Sequence, residues 1–301
     1  MRKILLVIAV SCLCHITVSA QSKSKEQIQV TIDLNAIEKD KVPVTVLAPK
    51  IKTSEIVYHI PKIIPGTYSE DDYGRFIDDF KAYNKKGVYL DVTKIDDNSW
   101  KISDATQLAS IAYKVNDTYD IESTHSIFSP AGSNIEANKN ILINTHCFVG
   151  FFDGFKDVTY SINIPHPETL WGATSMTDKD ASKTNDVFTT TRYATLVENP
   201  IMYGKPDYTT FMINDMEILI AVYSPNGVHK AEAIAPAMKT MMTAQKTFLG
   251  KFNSTKKYSV LIYLSDMQVE NDAHGFGALE HPTATTVVMP EMMGIDELNE
   301  Q

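Results

Sequence analysis

The sequence predicts a mainly β N-terminal domain, antiparallel and sandwich-like, followed by a smaller and incomplete unit of α+β type. Three observations predict it. Apolar and polar residues alternate from Gln27 to about Glu198, short turn-forming runs punctuate that alternation, and after Pro200 a helical period appears. A hydrophobic content of 44% with 22% charged residues is that of a globular protein. The length suits two domains, read here as 21–200 and 201–301.

Before the first strand comes an export leader, Met1–Ala20. Arg2 and Lys3 give a cationic start, Ile4–Val10 is unbroken apolar, and Val18-Ser19-Ala20 supplies small residues ahead of Gln21. Signal peptidase reads that order, so the mature protein is expected to work in the periplasm or outside the cell. The apolar run falls short of the roughly 20 residues that a membrane span needs. Ser11-Cys12 loosely resembles a lipoprotein cleavage site, which would leave a lipid anchor on Cys12. The short apolar stretch before it favours cleavage after Ala20.

Cleavage there removes Cys12 and Cys14 and leaves Cys147 alone, so no internal disulfide can form and an apolar core must hold the fold. Cys147 lies in Asn144-Thr-His-Cys-Phe-Val149, a strand-like apolar context expected to bury an inert thiol. The net charge of −9, with no Lys/Arg cluster to offset it, argues against a nucleic-acid surface.

The strands follow in order: Ile28, Val30, Ile32 and Leu34; Val42, Val44 and Val46; Ile56, Tyr58 and Ile60; Ile111, Tyr113 and Val115; Val158, Tyr160, Ile162 and Ile164. Each set alternates with polar neighbours, as in strands with one face on a core. Asn84-Lys-Lys-Gly87, Asp96-Asp-Asn-Ser99, Pro130-Ala-Gly-Ser133 and Pro165-His-Pro167 separate them as turns. No fixed-period repeat is present, which argues against a propeller or solenoid.

Beyond Pro200, Tyr208–Ile213 and Glu217–Val222 read as a hairpin. Ala231–Leu249 reads as a helix, with Ile234, Met238, Met241, Met242, Gln245, Phe248 and Leu249 as its core stripe, Gly250 as its C-cap and Pro236 delaying its start. Tyr258–Leu264 is a strand, and Gly277–Met289 one further extended stretch. One helix and a few strands leave such a unit little with which to cover its sheet.

The chemistry-bearing residues are sparse. The histidines form no His-Glu-x-x-His pair, and there is no Gly-x-Ser-x-Gly elbow, phosphate-cradling loop or Cys-x-x-Cys. Glu70-Asp71-Asp72, Asp78-Asp79 and Asp96-Asp97 read as solvated loop faces. The segment that stands apart is Gly275-Phe-Gly-Ala-Leu-Glu-His281. Gly277 and Ala278 carry almost no side chain, so a second backbone could approach and pair as an added strand. Glu280 shares the face of Ala278, and its carboxylate could hold a free α-ammonium group through a charge-assisted hydrogen bond in a partly desolvated cleft. A strand without function is the plainer reading of those residues alone.

Gly277-Ala-Leu-Glu-His281 resembles the Gly-x-Leu-Glu-His segment of the glycyl aminopeptidase family, zinc metallopeptidases of the gluzincin group that usually carry a PDZ domain. Ile64-Pro-Gly-Thr-Tyr68 followed by Arg75-Phe-Ile-Asp78 resembles a stretch of that family's N-terminal β domain. Glu198-Asn-Pro-Ile-Met-Tyr-Gly204 resembles the lead into its catalytic domain. The resemblance implies a β domain followed by the start of a thermolysin-like catalytic domain. It implies that Gly277 and Ala278 run beside the substrate backbone, that Glu280 anchors the substrate's amino terminus, and that peptides or proteins with a free amino terminus are the partners. Asp71-Asp72 and Tyr73-Gly74 depart from the tighter family pattern, so a rearranged loop is expected there. Zinc is the cofactor expected of a full-length member. The family's His-Glu-x-x-His helix follows the Gly-x-Leu-Glu-His strand and would lie beyond Gln301, so no catalytic or metal-ligating residue is assigned here, and Met1–Gln301 alone is expected to be inactive. An exported, non-catalytic peptide-binding protein is the alternative; a glycan-binding sandwich ranks last.

Overall fold

The computed structural model describes residues 27–120, 126–251, 255–269 and 272–300. The leader, Cys12 and His125 lie outside the described residues. Among the described residues no helix is long and apolar enough to cross a membrane.

Period-two alternation produces the expected strands. Ile28, Val30 and Ile32 are buried along Gln27–Ile32, as are Val42, Val44 and Val46 along Lys41–Leu47. A seven-stranded sheet runs in the spatial order Asn185–Thr190, Thr159–Pro165, Gln27–Ile32, Lys41–Leu47, Leu108–Asn116, Ile77–Asn84 and Tyr89–Leu90. One pairing, Gln27–Ile32 with Thr159–Pro165, is parallel; the others are antiparallel. A four-stranded sheet of Phe151–Phe152, Glu55–His59, Ser99–Ser103 and Val92–Asp96 packs against it. Phe80 stacks on Trp100 with ring centroids 4.8 Å apart, and the Tyr58 and Tyr113 hydroxyls lie 3.0 Å apart between the layers. This is the sandwich arrangement.

A further four-stranded sheet, Trp171–Ala173, Ile201–Gly204, Asn140–Ile143 and Asn134–Glu136, is apolar on both faces. Ile141, Ile143, Ile201 and Tyr203 join the sandwich core, whereas Leu142, Ala173 and Met202 face a five-stranded sheet beyond. That last sheet runs Tyr208–Ile213, Met216–Tyr223, Lys257–Ser265, Ala284–Pro290, Gly277–Glu280. Its three central strands are parallel and both outer strands antiparallel. The helix Ala231–Leu249 and the short helix Ile295–Glu300 cover one face, through Ile234 and Leu298 against Ile220, Val260 and Ile262. Leu219, Ala221, Leu261, Tyr263 and Val288 pack the other face onto the N-terminal domain. The α+β unit therefore does not lack cover, because the preceding domain supplies a whole face of it.

Four local expectations are corrected. Gly277–Met289 is two antiparallel strands, folded at His281-Pro282-Thr283 by a hydrogen bond from the His281 N–H to the Ala284 carbonyl (2.7 Å). Cys147 sits in a single helical turn, Thr145–Phe148, rather than a strand; it is buried, and burial pushes its thiol up to about 12. The helix begins at Ala231 despite Pro236, with the Ala231 N–H donating to the Asp207 carboxylate at 3.0 Å. Of its stripe Ile234 is buried and Met238 and Met242 pack on the sheet, while Met241, Phe248 and Leu249 stay exposed. Finally, Asp71 is 1% exposed and not a solvated loop residue.

Candidate functional site

Gly277–Glu280 is an end strand, paired only with Ala284–Pro290. Its register is Gly277 with Val288, Ala278 with Val287, Leu279 with Thr286 and Glu280 with Thr285. Because His281 and Ala284 form a hydrogen-bonded pair, antiparallel alternation makes Leu279 and Gly277 the next hydrogen-bonded positions. The backbone N–H and C=O of Ala278 and Glu280 then point away from the sheet. An approaching chain meets those groups first.

Side-chain direction follows from the same register. Ala278 and Glu280 share the face of Val287, which packs toward the helix, and both are exposed. Glu280 makes no hydrogen bond or ion pair among the described residues, so its carboxylate is available to a ligand; it lies in solvent rather than in the partly desolvated cleft expected. Leu279 points the other way and is buried in the core of the N-terminal domain.

Three contacts hold the strand in place, and each comes from the N-terminal domain. Gly66 lies so near Leu279 that a Cβ on it would come within 2.7 Å of the Leu279 Cδ1 atom, and its φ of +101° independently favours glycine. On the strand's first residue, a Cβ at Gly277 would fall 2.8 Å from the Phe128 ring, and the Gly275 N–H donates to Ser129 Oγ at 3.0 Å. At the turn, the Asn199 side-chain carbonyl accepts from Thr283 Oγ1 at 2.8 Å and from Ser175 Oγ at 2.7 Å. The motif residues Gly66 and Asn199, far apart in sequence, thus meet on one hairpin. Phe128 and Ser129 carry no sequence signal that would have singled them out.

Below the Gly66 loop, Asp71 accepts hydrogen bonds from Ser69 Oγ at 2.8 Å and the Tyr73 hydroxyl at 2.9 Å, and the Arg75 Nε donates to its carbonyl at 3.1 Å. The Asp71 and Asp72 N–H groups both donate to the Lys62 carbonyl. This bracing makes the loop a fixed surface. Tyr73 packs edge-on against His146 at 4.6 Å. Burial holds His146 neutral, pushed down to about 3, and lowers His281 to about 4 against the opposing pull of Glu280. His146 Nδ1 and His281 Nε2 are buried with no hydrogen-bond partner among the described residues. A second concavity, about 630 Å3, lies on the outer side of the same loop and is lined by His59, Pro61, Ile63, Pro65, Phe151 and Tyr193. Trp100 is buried and Trp171 is stacked on Tyr208 at 4.1 Å, so neither tryptophan offers a bare platform for a sugar.

A β domain docked on the end strand of an α+β sheet is the architecture of a peptidase-related N-terminal region. Residues 29–205 match the Peptidase M61 N-terminal domain. The chain belongs to the M61 peptidase family, the glycyl aminopeptidase-like group that its motifs resemble. The fold is similar to a crystal structure of an aminopeptidase N family protein from Idiomarina loihiensis, with a TM-score of 0.72 at 18% identity. That match covers 88% of this chain and 42% of the other, so the chain spans less than half the length of the protein it resembles. No curated protein matches the chain. The family is generally zinc-dependent. Among the described residues no group of three or more His, Cys, Asp or Glu side chains is placed to hold a metal, so these residues do not fit a zinc ion.

Proposed function

We propose that this chain is the N-terminal portion of an exported, aminopeptidase-like metallopeptidase, and that Gly277–Glu280 binds a substrate peptide by its backbone and amino terminus. The observation that carries this reading is the open edge of Gly277–Glu280, with the free Glu280 carboxylate at its end. Ala278 and Glu280 offer outward N–H and C=O groups to an added strand. Glu280 pairs with the peptide's ammonium group. The Met1–Ala20 leader supports export.

Calorimetric titration of the chain with Ala-Ala-Ala and its N-acetylated form tests the reading. The free-amine peptide binds and the acetylated one does not, and Glu280→Gln weakens binding by about tenfold or more, the loss of one charge-assisted contact worth about 1.5–3 kcal/mol. Equal binding of both peptides, or full binding by Glu280→Gln, contradicts it.

A further inference from the structure

Tyr68 is wholly exposed, at 100% of its possible surface, and its backbone has φ +56°. Either property is unfavourable for a tyrosine. A bulky side chain in the left-handed region carries strain of order 1–3 kcal/mol, and an aromatic ring left in water gains nothing from burial. No hydrogen bond or ring contact to Tyr68 compensates among the described residues. The surrounding loop is nonetheless among the most firmly held in the N-terminal domain, because Thr67 Oγ1 donates to the Ile64 carbonyl, Ser69 is tied to Asp71, and Gly66 is seated on Leu279. The strain is therefore imposed by a braced loop, and it projects a ring beside the candidate binding strand.

Register says what that ring would meet. Residues directly opposite one another in paired strands share a face. A peptide residue level with Leu279 therefore directs its side chain to the face of Leu279, where the Gly66–Tyr68 loop lies. When Glu280 holds the amine, the residue beside that amine is the one level with Leu279.

We propose that Tyr68 is a specificity-determining residue, whose ring packs on the first side chain of the bound peptide and favours apolar or aromatic groups there. This rests on the peptide-binding reading above, and the two can fail separately. The test titrates the chain with Phe-Ala-Ala, Gly-Ala-Ala and N-acetyl-Phe-Ala-Ala, using the parent, Tyr68→Asn, Tyr68→Phe and Glu280→Gln. Asparagine tolerates the left-handed backbone, so Tyr68→Asn removes the ring without adding strain.

The parent binds Phe-Ala-Ala about tenfold more tightly than Gly-Ala-Ala, the scale of one good aromatic contact. Tyr68→Asn erases that preference and leaves Gly-Ala-Ala binding and thermal stability in place, and Tyr68→Phe retains the preference. If Glu280-dependent binding persists and Tyr68→Asn keeps the parent's preference, the assignment of Tyr68 is overturned while the binding reading stands. If no free-amine peptide binds, both are overturned.

Discussion

At the scale of single residues, the site depends on small side chains where chains approach and on buried polar groups just behind them. Gly66 is the sharpest case, since a methyl group there meets Leu279 and the backbone resists it as well. Gly66→Ala is expected to lower stability by about 1–3 kcal/mol, read by denaturant unfolding, through overpacking at the junction. A change below about 0.5 kcal/mol would mean that the junction yields freely. The buried titratable groups set opposing pH dependences. His146 and His281 lie below the ordinary histidine value, so they bind fewer protons folded than unfolded. Their share of stability is present above about pH 6.5 and is lost as pH falls toward 4. Asp117 runs the other way. Burial is the largest cause of its rise to about 8, reinforced by Asp120 and only partly opposed by N–H bonds from Tyr119 and Ile135. Folded, it keeps a proton the unfolded chain loses, so stability falls as pH rises from about 4 to 8. Asp117→Asn therefore gains on the parent more at pH 8 than at pH 5. An equal difference at both pH values would contradict this.

Among the secondary-structure elements, those legible from sequence were the ones whose period is set locally. Alternation located strands such as Gln27–Ile32 and Lys41–Leu47, and the helical spacing located Ala231–Leu249 to the residue. The break at His281-Pro282-Thr283 was missed because Ala284, Thr286 and Val288 continue an alternation on the far side of the turn. The parallel pairing of Gln27–Ile32 with Thr159–Pro165 left no mark in either strand, since a buried strand has the same pattern in both directions. Asp71 looked like one of a run of surface acids, and its burial follows from partners two residues away on each side, Ser69 and Tyr73. The helix illustrates the limit of periodicity. Its stripe is real, but the sheet reaches only its first half, and Phe248 is 89% exposed. Limited proteolysis is expected to cut after Met241 in that helix before any cut in Lys257–Ser265, because little buried area protects the helix end. First cleavage in the strand would contradict that order.

In the whole molecule, the candidate site belongs to neither domain alone. The strand Gly277–Glu280 lies in the α+β sheet, yet Leu279 is buried in the N-terminal core and the N-terminal residues Gly66, Phe128, Ser129 and Asn199 fix it from three directions. Sequence alone marked Gly277, Ala278 and Glu280 and, separately, the segments around Gly66 and Asn199. It could not show that these converge, because convergence depends on which sheet face packs on which domain. The central claim is that the open edge of this strand receives a peptide, and hydrogen exchange resolved by residue tests it most directly. With saturating Ala-Ala-Ala, the outward amides of Ala278 and Glu280 are predicted to slow by tenfold or more, about 1.4 kcal/mol of added protection. Leu279, already bonded inward, should change less. Unchanged exchange at Ala278 and Glu280 under saturating peptide, or protection confined to another part of the chain, would contradict the account.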